Sequence, residues 1–115
     1  MKRTFVETNV FTKRWNELNL TDGNLQELQQ YILKNPNCGD IIQGTGGLTK
    51  LRWVLPSSGK SGGVRILTVD FARHETVFLI NCYSKAEKDN ISNKEKAIYK
   101  SLIKSIKEAL GNERS

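Results

Sequence analysis

Histidine is nearly missing from this sequence: His74 is the only one, so a ribonuclease-type mechanism built on two imidazoles is excluded by count. The two cysteines, Cys38 and Cys82, stand far apart with no neighbouring histidine, which fits neither a zinc site nor a disulfide-stapled mini-protein. Reduced thiols in a cytoplasm are expected instead. No run of about 18 apolar residues occurs, and no apolar core follows the basic start Met1-Lys2-Arg3. The chain is therefore expected to be cytoplasmic, neither exported nor membrane-spanning. No repeat, linker or low-complexity tract interrupts its 115 residues, a length that suits one domain spanning 1–115.

Acidic residues are also missing locally. Between Ile41 and Val69 there is none, although Lys50, Arg52, Lys60 and Arg65 all fall there. Over the whole chain 18 Lys and Arg outnumber 12 Asp and Glu, giving +6, a field that attracts polyanions such as nucleic acid.

The apolar pattern orders the elements. Residues 3–7 read as a short strand. Thr8 or Asn9 then caps a helix carrying Phe11, Trp15 and Leu18, and Thr21-Asp22 offers a cap for a second carrying Leu25, Leu28 and Ile32, which must end near Asn35-Pro36. From Gly39 onward glycines punctuate Val-, Ile- and Trp-rich runs, which predict strands at 48–55, 63–71 and 76–83. The links are a loop at Pro56–Gly62 and a tight turn at Arg73–His74, so an antiparallel meander is expected. Ser92-Asn93-Lys94-Glu95 is a capping-box pattern opening a last helix, with Ile98, Leu102, Ile106 and Leu110 as its expected buried stripe and Gly111 as its stop. Trp53 and Phe78 are expected in the core. The lysines of that helix alternate with the apolar stripe and read as a solvated face.

On a strand, Lys50 and Arg52 point to one face and Leu51 and Trp53 to the other, holding two cations about 7 Å apart. Pairing of 63–71 with 48–55 would bring Arg65 to them. Like charges on one sheet face repel, and a docked phosphate would relieve that repulsion; the plainer reading is a solvated sheet face. Gly59-Lys60-Ser61 imitates the end of a phosphate-binding loop. The motif requires a glycine where Val54 stands, and the segment leads into a strand instead of a helix, so nucleotide hydrolysis is excluded.

The ordered blocks Asn35-Pro36, Gly39, Ile42-Gln43-Gly44-Thr45-Gly46-Gly47-Leu48, Lys50-Leu51-Arg52-Trp53, Gly59-Lys60-Ser61-Gly62-Gly63-Val64-Arg65 and Tyr83-Ser84-Lys85-Ala86-Glu87-Lys88 resemble the HigB branch of the RelE/ParE toxin superfamily. The likeness runs from the first strand to the last helix. It implies an α+β RelE-like fold in which two N-terminal helices pack on a curved antiparallel sheet with a C-terminal helix. It also implies a toxin of a type II toxin-antitoxin system, neutralised by a HigA-like helix-turn-helix antitoxin, that cuts mRNA in the ribosomal A site without a metal.

In the implied reaction the RNA's own 2′-hydroxyl attacks the adjacent phosphate, leaving a 2′,3′-cyclic phosphate and a 5′-hydroxyl. The protein must supply a base, a proton for the leaving oxygen and charge stabilisation. Arg52 and Arg65 suit the phosphate, because the guanidinium keeps its charge and presents a planar fork. Lys50 is the candidate base, since surrounding positive charge disfavours an ammonium. Tyr83 and Lys85 match the family's Tyr-x-Lys block, with Tyr83 as a base-stacking ring and Lys85 as acid or phosphate ligand. Lys60 and Lys88 are expected to grip RNA or ribosome. Two positions depart from the family pattern: Thr49 stands where many relatives have arginine, removing a charge from the patch, and Thr68-Val69-Asp70 replaces an aromatic segment. A ParE-like gyrase inhibitor and a non-catalytic nucleic-acid-binding module are the competing readings.

Overall fold

The computed structural model describes residues 2–54, 63–88 and 90–113. Its elements run β1 (Thr4–Glu7), α1 (Asn9–Glu17), α2 (Asp22–Lys34), β2 (Asp40–Ile41), β3 (Thr49–Trp53), β4 (Val64–Phe71), a 3₁₀ turn (Ala72–His74), β5 (Thr76–Ser84) and α3 (Asn93–Glu113). The sheet order is β1-β5-β4-β3-β2. Strands β2 to β5 pair antiparallel, as the expected meander requires, while β1 joins β5 in parallel. The sheet is thus mixed, not purely antiparallel. β1 cannot hairpin onto β5 because the chain between them first builds both helices and three strands.

The caps fall where their residue types place them. Thr8 accepts from the Phe11 N–H, Thr21 and Asn24 exchange a reciprocal pair of hydrogen bonds, and Ser92 and Glu95 do the same at 3.1 Å each way. Each satisfies helix donors that would otherwise have no partner.

Alternation along the strands splits the core in two. On one face Phe11, Trp15, Leu28 and Ile32 of α1 and α2 cover Leu51, Trp53, Val64, Ile66, Val77, Leu79 and Cys82. Trp15 stacks on Phe11 and Trp53 with ring centroids 5.4 and 5.8 Å away, and its indole N–H donates to the Thr21 carbonyl. The opposite face carries Leu67, Val69, Phe71, Ile80 and Tyr83 beneath Ile103 of α3. Phe78 packs partly buried there, edge-on to Phe71.

The buried seam of α3 differs from the expected one. Ile103 is 1% exposed with Tyr99, Ile106 and Leu110 packed around the same cluster, whereas Ile98 and Leu102 are 58% and 37% exposed. Both stripes have helical spacing; the hydrogen bond from Asn81 Nδ2 to the Tyr99 hydroxyl, 3.0 Å, fixes the helix rotation that buries the second. Nor does Gly111 stop α3, which continues to Glu113. The Arg73–His74 turn is one turn of 3₁₀ helix closed by Glu75 in the left-handed region. The loop at Pro56–Gly62, including Lys60 and the Gly59-Lys60-Ser61 segment, lies outside the described residues, as does Leu55.

Candidate functional site

Register decides which cations meet. Arg52 on β3 stands directly opposite Arg65 on β4, and Arg65 stands opposite Tyr83 on β5. The three form one row across three adjacent strands, on the face opposite the one where Leu51 and Trp53 pack. Directly opposed residues have Cβ atoms about 4.5–5.5 Å apart. The next row is Lys50, Leu67 and Asn81. Three of the sequence's candidates, Arg52, Arg65 and Tyr83, therefore share one row, and Lys50 sits one row away on the same face.

Glycine at the mouth of the β3–β4 hairpin holds this register. Gly63 has φ +61°, and a Cβ there would lie 2.7 Å from the Trp53 carbonyl oxygen, so neither the conformation nor the space admits another residue. Just before β2 and across from the start of β3, Gly39 has φ +86°, and a Cβ would meet the Lys50 carbonyl oxygen at 2.9 Å. Between these points the Thr45 hydroxyl, fully buried, donates to the Ile42 carbonyl and accepts from the Leu48 N–H at 2.6 and 3.0 Å.

A β-bulge brings Tyr83 to the row. Leu67 pairs with Asn81 but Thr68 pairs with Leu79, leaving Ile80 as the extra residue. Ile80 packs in the α3-side cluster and Asn81 reaches Tyr99 of α3, while Leu79 and Cys82 face α1. The carbonyl of Ile80 accepts the Thr8 hydroxyl at 2.7 Å, so the residue that caps α1 also clamps the bulge.

Exposure grades across the row. Arg52 is exposed, Arg65 is 7% exposed and Tyr83 is 2% exposed. The Lys88 ammonium lies 5.0 Å from the centre of the Tyr83 ring, within cation–π range, and is ion-paired with Glu95. The hydrogen bond from Lys88, then the Ser92 backbone N–H, lowers the pKa of Glu95. In this arrangement Tyr83 is a covered ring, not an open platform for a base. Lys85 is exposed in the turn after β5. That turn is fixed by Glu87, which accepts from the Ser84 backbone N–H and hydroxyl and pairs with Arg14 of α1; the Ser84 N–H leads the causes that lower its pKa.

Elsewhere Arg3 holds Asp70 at 2.7 Å, and Arg14 holds Glu17 at 2.8 Å. Among the described residues neither Lys50 nor Arg52 is in an ion pair. His74, in the 3₁₀ turn beyond Phe71, lies about 20 Å along β4 from Arg65 at the usual rise per residue, outside the group. Thr49 lines a small space with Ile32, Cys38 and Leu51 on the α2 side. Its lack of charge therefore takes nothing from the Arg52–Arg65 face, contrary to the expectation from sequence. Val69 is 3% exposed in the α3-side core, and Asp70 neutralises Arg3, which gives the departing segment structural duties.

Two residues that the sequence did not single out adjoin Arg52. Glu27 and Tyr31 of α2 line, with Arg52, Trp53 and Val54, a cleft of about 460 Å³ at the sheet edge. The signal was present but faint: Tyr31 is an aromatic beside the apolar stripe of α2, not in it. Among the described residues no group of three or more His, Cys, Asp or Glu side chains could hold a metal ion, and no helix is long and apolar enough to cross a membrane.

A three-helix α+β domain with arginines from neighbouring strands paired on one sheet face is the class that fold and site define. A family model described as the RelE toxin of the RelE/RelB toxin-antitoxin system matches residues 2–113, and the chain belongs to that family. Among solved structures it is similar in fold to E. coli toxin RelE in the free state, a variant with two arginines replaced by alanine. The TM-score is 0.53 at 18% identity, over 77% of this chain and 90% of that one. Membership implies an antitoxin partner.

Proposed function

We propose that this protein is an mRNA endoribonuclease of the HigB branch, acting on the translating ribosome and held inactive by a HigA-like antitoxin. The observation that carries the reading is the Arg52–Arg65 cross-strand pair with Lys50 one row away. Two planar guanidinium forks on directly opposed positions can hold a scissile phosphate between them.

In this reading the 2′-hydroxyl loses its proton to Lys50 and attacks phosphorus. The two guanidinium groups hold the non-bridging oxygens, whose negative charge grows in the phosphorane. Lys85 donates a proton to the departing 5′-oxygen, so a 2′,3′-cyclic phosphate and a 5′-hydroxyl result. Tyr83 walls the row behind Arg65; a base could stack on its ring only after Lys88 moves off it. Lys60 and Lys88 bind the RNA or ribosome backbone, and Lys88 must exchange Glu95 for a phosphate to do so.

Mapping of mRNA ends during translation tests the assignment. Wild type should produce cuts within the reading frame that vanish with Arg65→Ala, provided the variant keeps its thermal unfolding midpoint. Equal cutting by both proteins removes Arg65 from the mechanism.

A further inference from the structure

We infer that the cleft between α2 and the edge of β3 is a nucleobase subsite that favours guanine: Tyr31 stacks on the base, Glu27 accepts from its Watson–Crick edge, and Arg52 holds the adjoining phosphate. The inference rests on the RNA-binding part of the function proposed above and names the base next to the bound phosphate.

The argument begins with a mismatch. Glu27 and Arg52 line the same cleft, opposite in charge, yet among the described residues they form no ion pair, while Arg3, Arg14 and Lys88 each hold a carboxylate. A ligand offering a phosphate to Arg52 and N–H donors to Glu27 satisfies both at once. A nucleotide is such a ligand.

The walls fit it. Glu27 and Tyr31 are four residues apart on α2 and so share a helix face. Tyr31 is 41% exposed, leaving ring surface on which a base can stack. The buried Trp53 and the half-exposed Val54 close the cleft from β3. β2 pairs only with Thr49 and Lys50, so among the described residues the outer edge of β3 from Leu51 onward is not covered by a strand. Its backbone groups can meet a base edge as they would a neighbouring strand.

The carboxylate ranks the bases. Guanine offers two adjacent N–H donors, N1–H and the N2 amino group, which match the two oxygens of Glu27 in a bidentate pair. Adenine and cytosine pair one amino donor with a ring nitrogen acceptor that repels a carboxylate. Uracil offers a single N–H flanked by carbonyls.

The test uses the full chain and 2′-O-methyl hexanucleotides, which lack the attacking hydroxyl: one guanine among uracils, the adenine and cytosine counterparts, and all-uracil, with binding read by fluorescence anisotropy. Wild type should bind the guanine oligomer most tightly. Tyr31→Ala should weaken it on the order of tenfold and Tyr31→Phe should not, while Glu27→Gln should erase the preference for guanine with little change for all-uracil. Wild-type-like binding by a folded Tyr31→Ala protein, a base order unmoved by Glu27→Gln, or no binding by wild type would each overturn the subsite. Cleavage on ribosomes separates this from the larger reading. If wild type cuts and Arg65→Ala does not while Tyr31 and Glu27 prove indifferent, only the subsite fails. If wild type cuts nothing yet binding follows Tyr31 and Glu27, the nuclease reading fails and the subsite stands.

Discussion

Arg52 and Arg65 face each other across β3 and β4, at positions where antiparallel sheets gain stability from opposite charges. Arg52→Glu, which sets a carboxylate against the scissile phosphate, should abolish cleavage while the protein stays folded. Wild-type-like cutting by that variant would remove the opposed arginines from the mechanism. Arg52→Ala, which removes one donor to the transition state, should lower cleavage on the order of a hundredfold.

The hairpin that sets this register depends on one glycine. Gly63→Ala must place a Cβ 2.7 Å from the Trp53 carbonyl oxygen at φ +61°, a strain of about 1–3 kcal/mol. Chemical unfolding should show that loss, with cleavage falling in parallel as Arg65 slips from Arg52.

The two apolar stripes of α3 can be told apart by truncation. Ile103→Ala should cost about 2–5 kcal/mol because the side chain is 1% exposed. Ile98→Ala should cost well under about 1 kcal/mol, since most of that side chain already meets water. Similar losses at both sites would overturn the observed helix rotation.

Acid should loosen the segment between β5 and α3. The pKa values of Glu87 and Glu95 are both depressed in the folded state, by the Ser84 N–H with Arg14 and by Lys88 with the Ser92 N–H. Their contribution is complete above the ordinary carboxylate range and is lost as pH falls through the lowered folded values. The unfolding midpoint of wild type should thus drop more steeply below about pH 4 than that of the Glu87→Gln/Glu95→Gln double variant. Parallel curves would remove both groups from the account.

Thiol labelling should separate the cysteines. Cys82 is fully buried and its thiol is raised to about 12 by burial, so alkylation in native buffer should modify Cys38 first and reach Cys82 only with denaturant. Equal rates would mean that the sheet opens at β5.

How much of this was legible in the sequence follows from the range of each signal. Caps at Thr8, Thr21 and Ser92 and the strands around Trp53, Ile66 and Leu79 are set by residues within a few positions, and they were readable. The choice between Ile98–Leu102 and Tyr99–Ile103 was not, because Asn81, distant in sequence, makes it. For the candidate site, alternation put Lys50 and Arg52 on one face, and only the register showed Arg65 opposite Arg52. Tyr31 and Glu27 escaped notice because their meaning comes from Arg52 of another element. The parallel addition of β1 to β5 is likewise a long-range event with no local mark.

The extra residue at Ile80 carries a wider consequence. Ile80 and Asn81 both lie on the α3 side, so β5 is one residue longer than plain alternation needs, and deleting Ile80 would remove the bulge while leaving Leu79 and Cys82 toward α1 and Tyr83 opposite Arg65. A residue added between the bulge and Tyr83 would instead turn that ring toward the tryptophans and break the row from a strand that contributes no arginine.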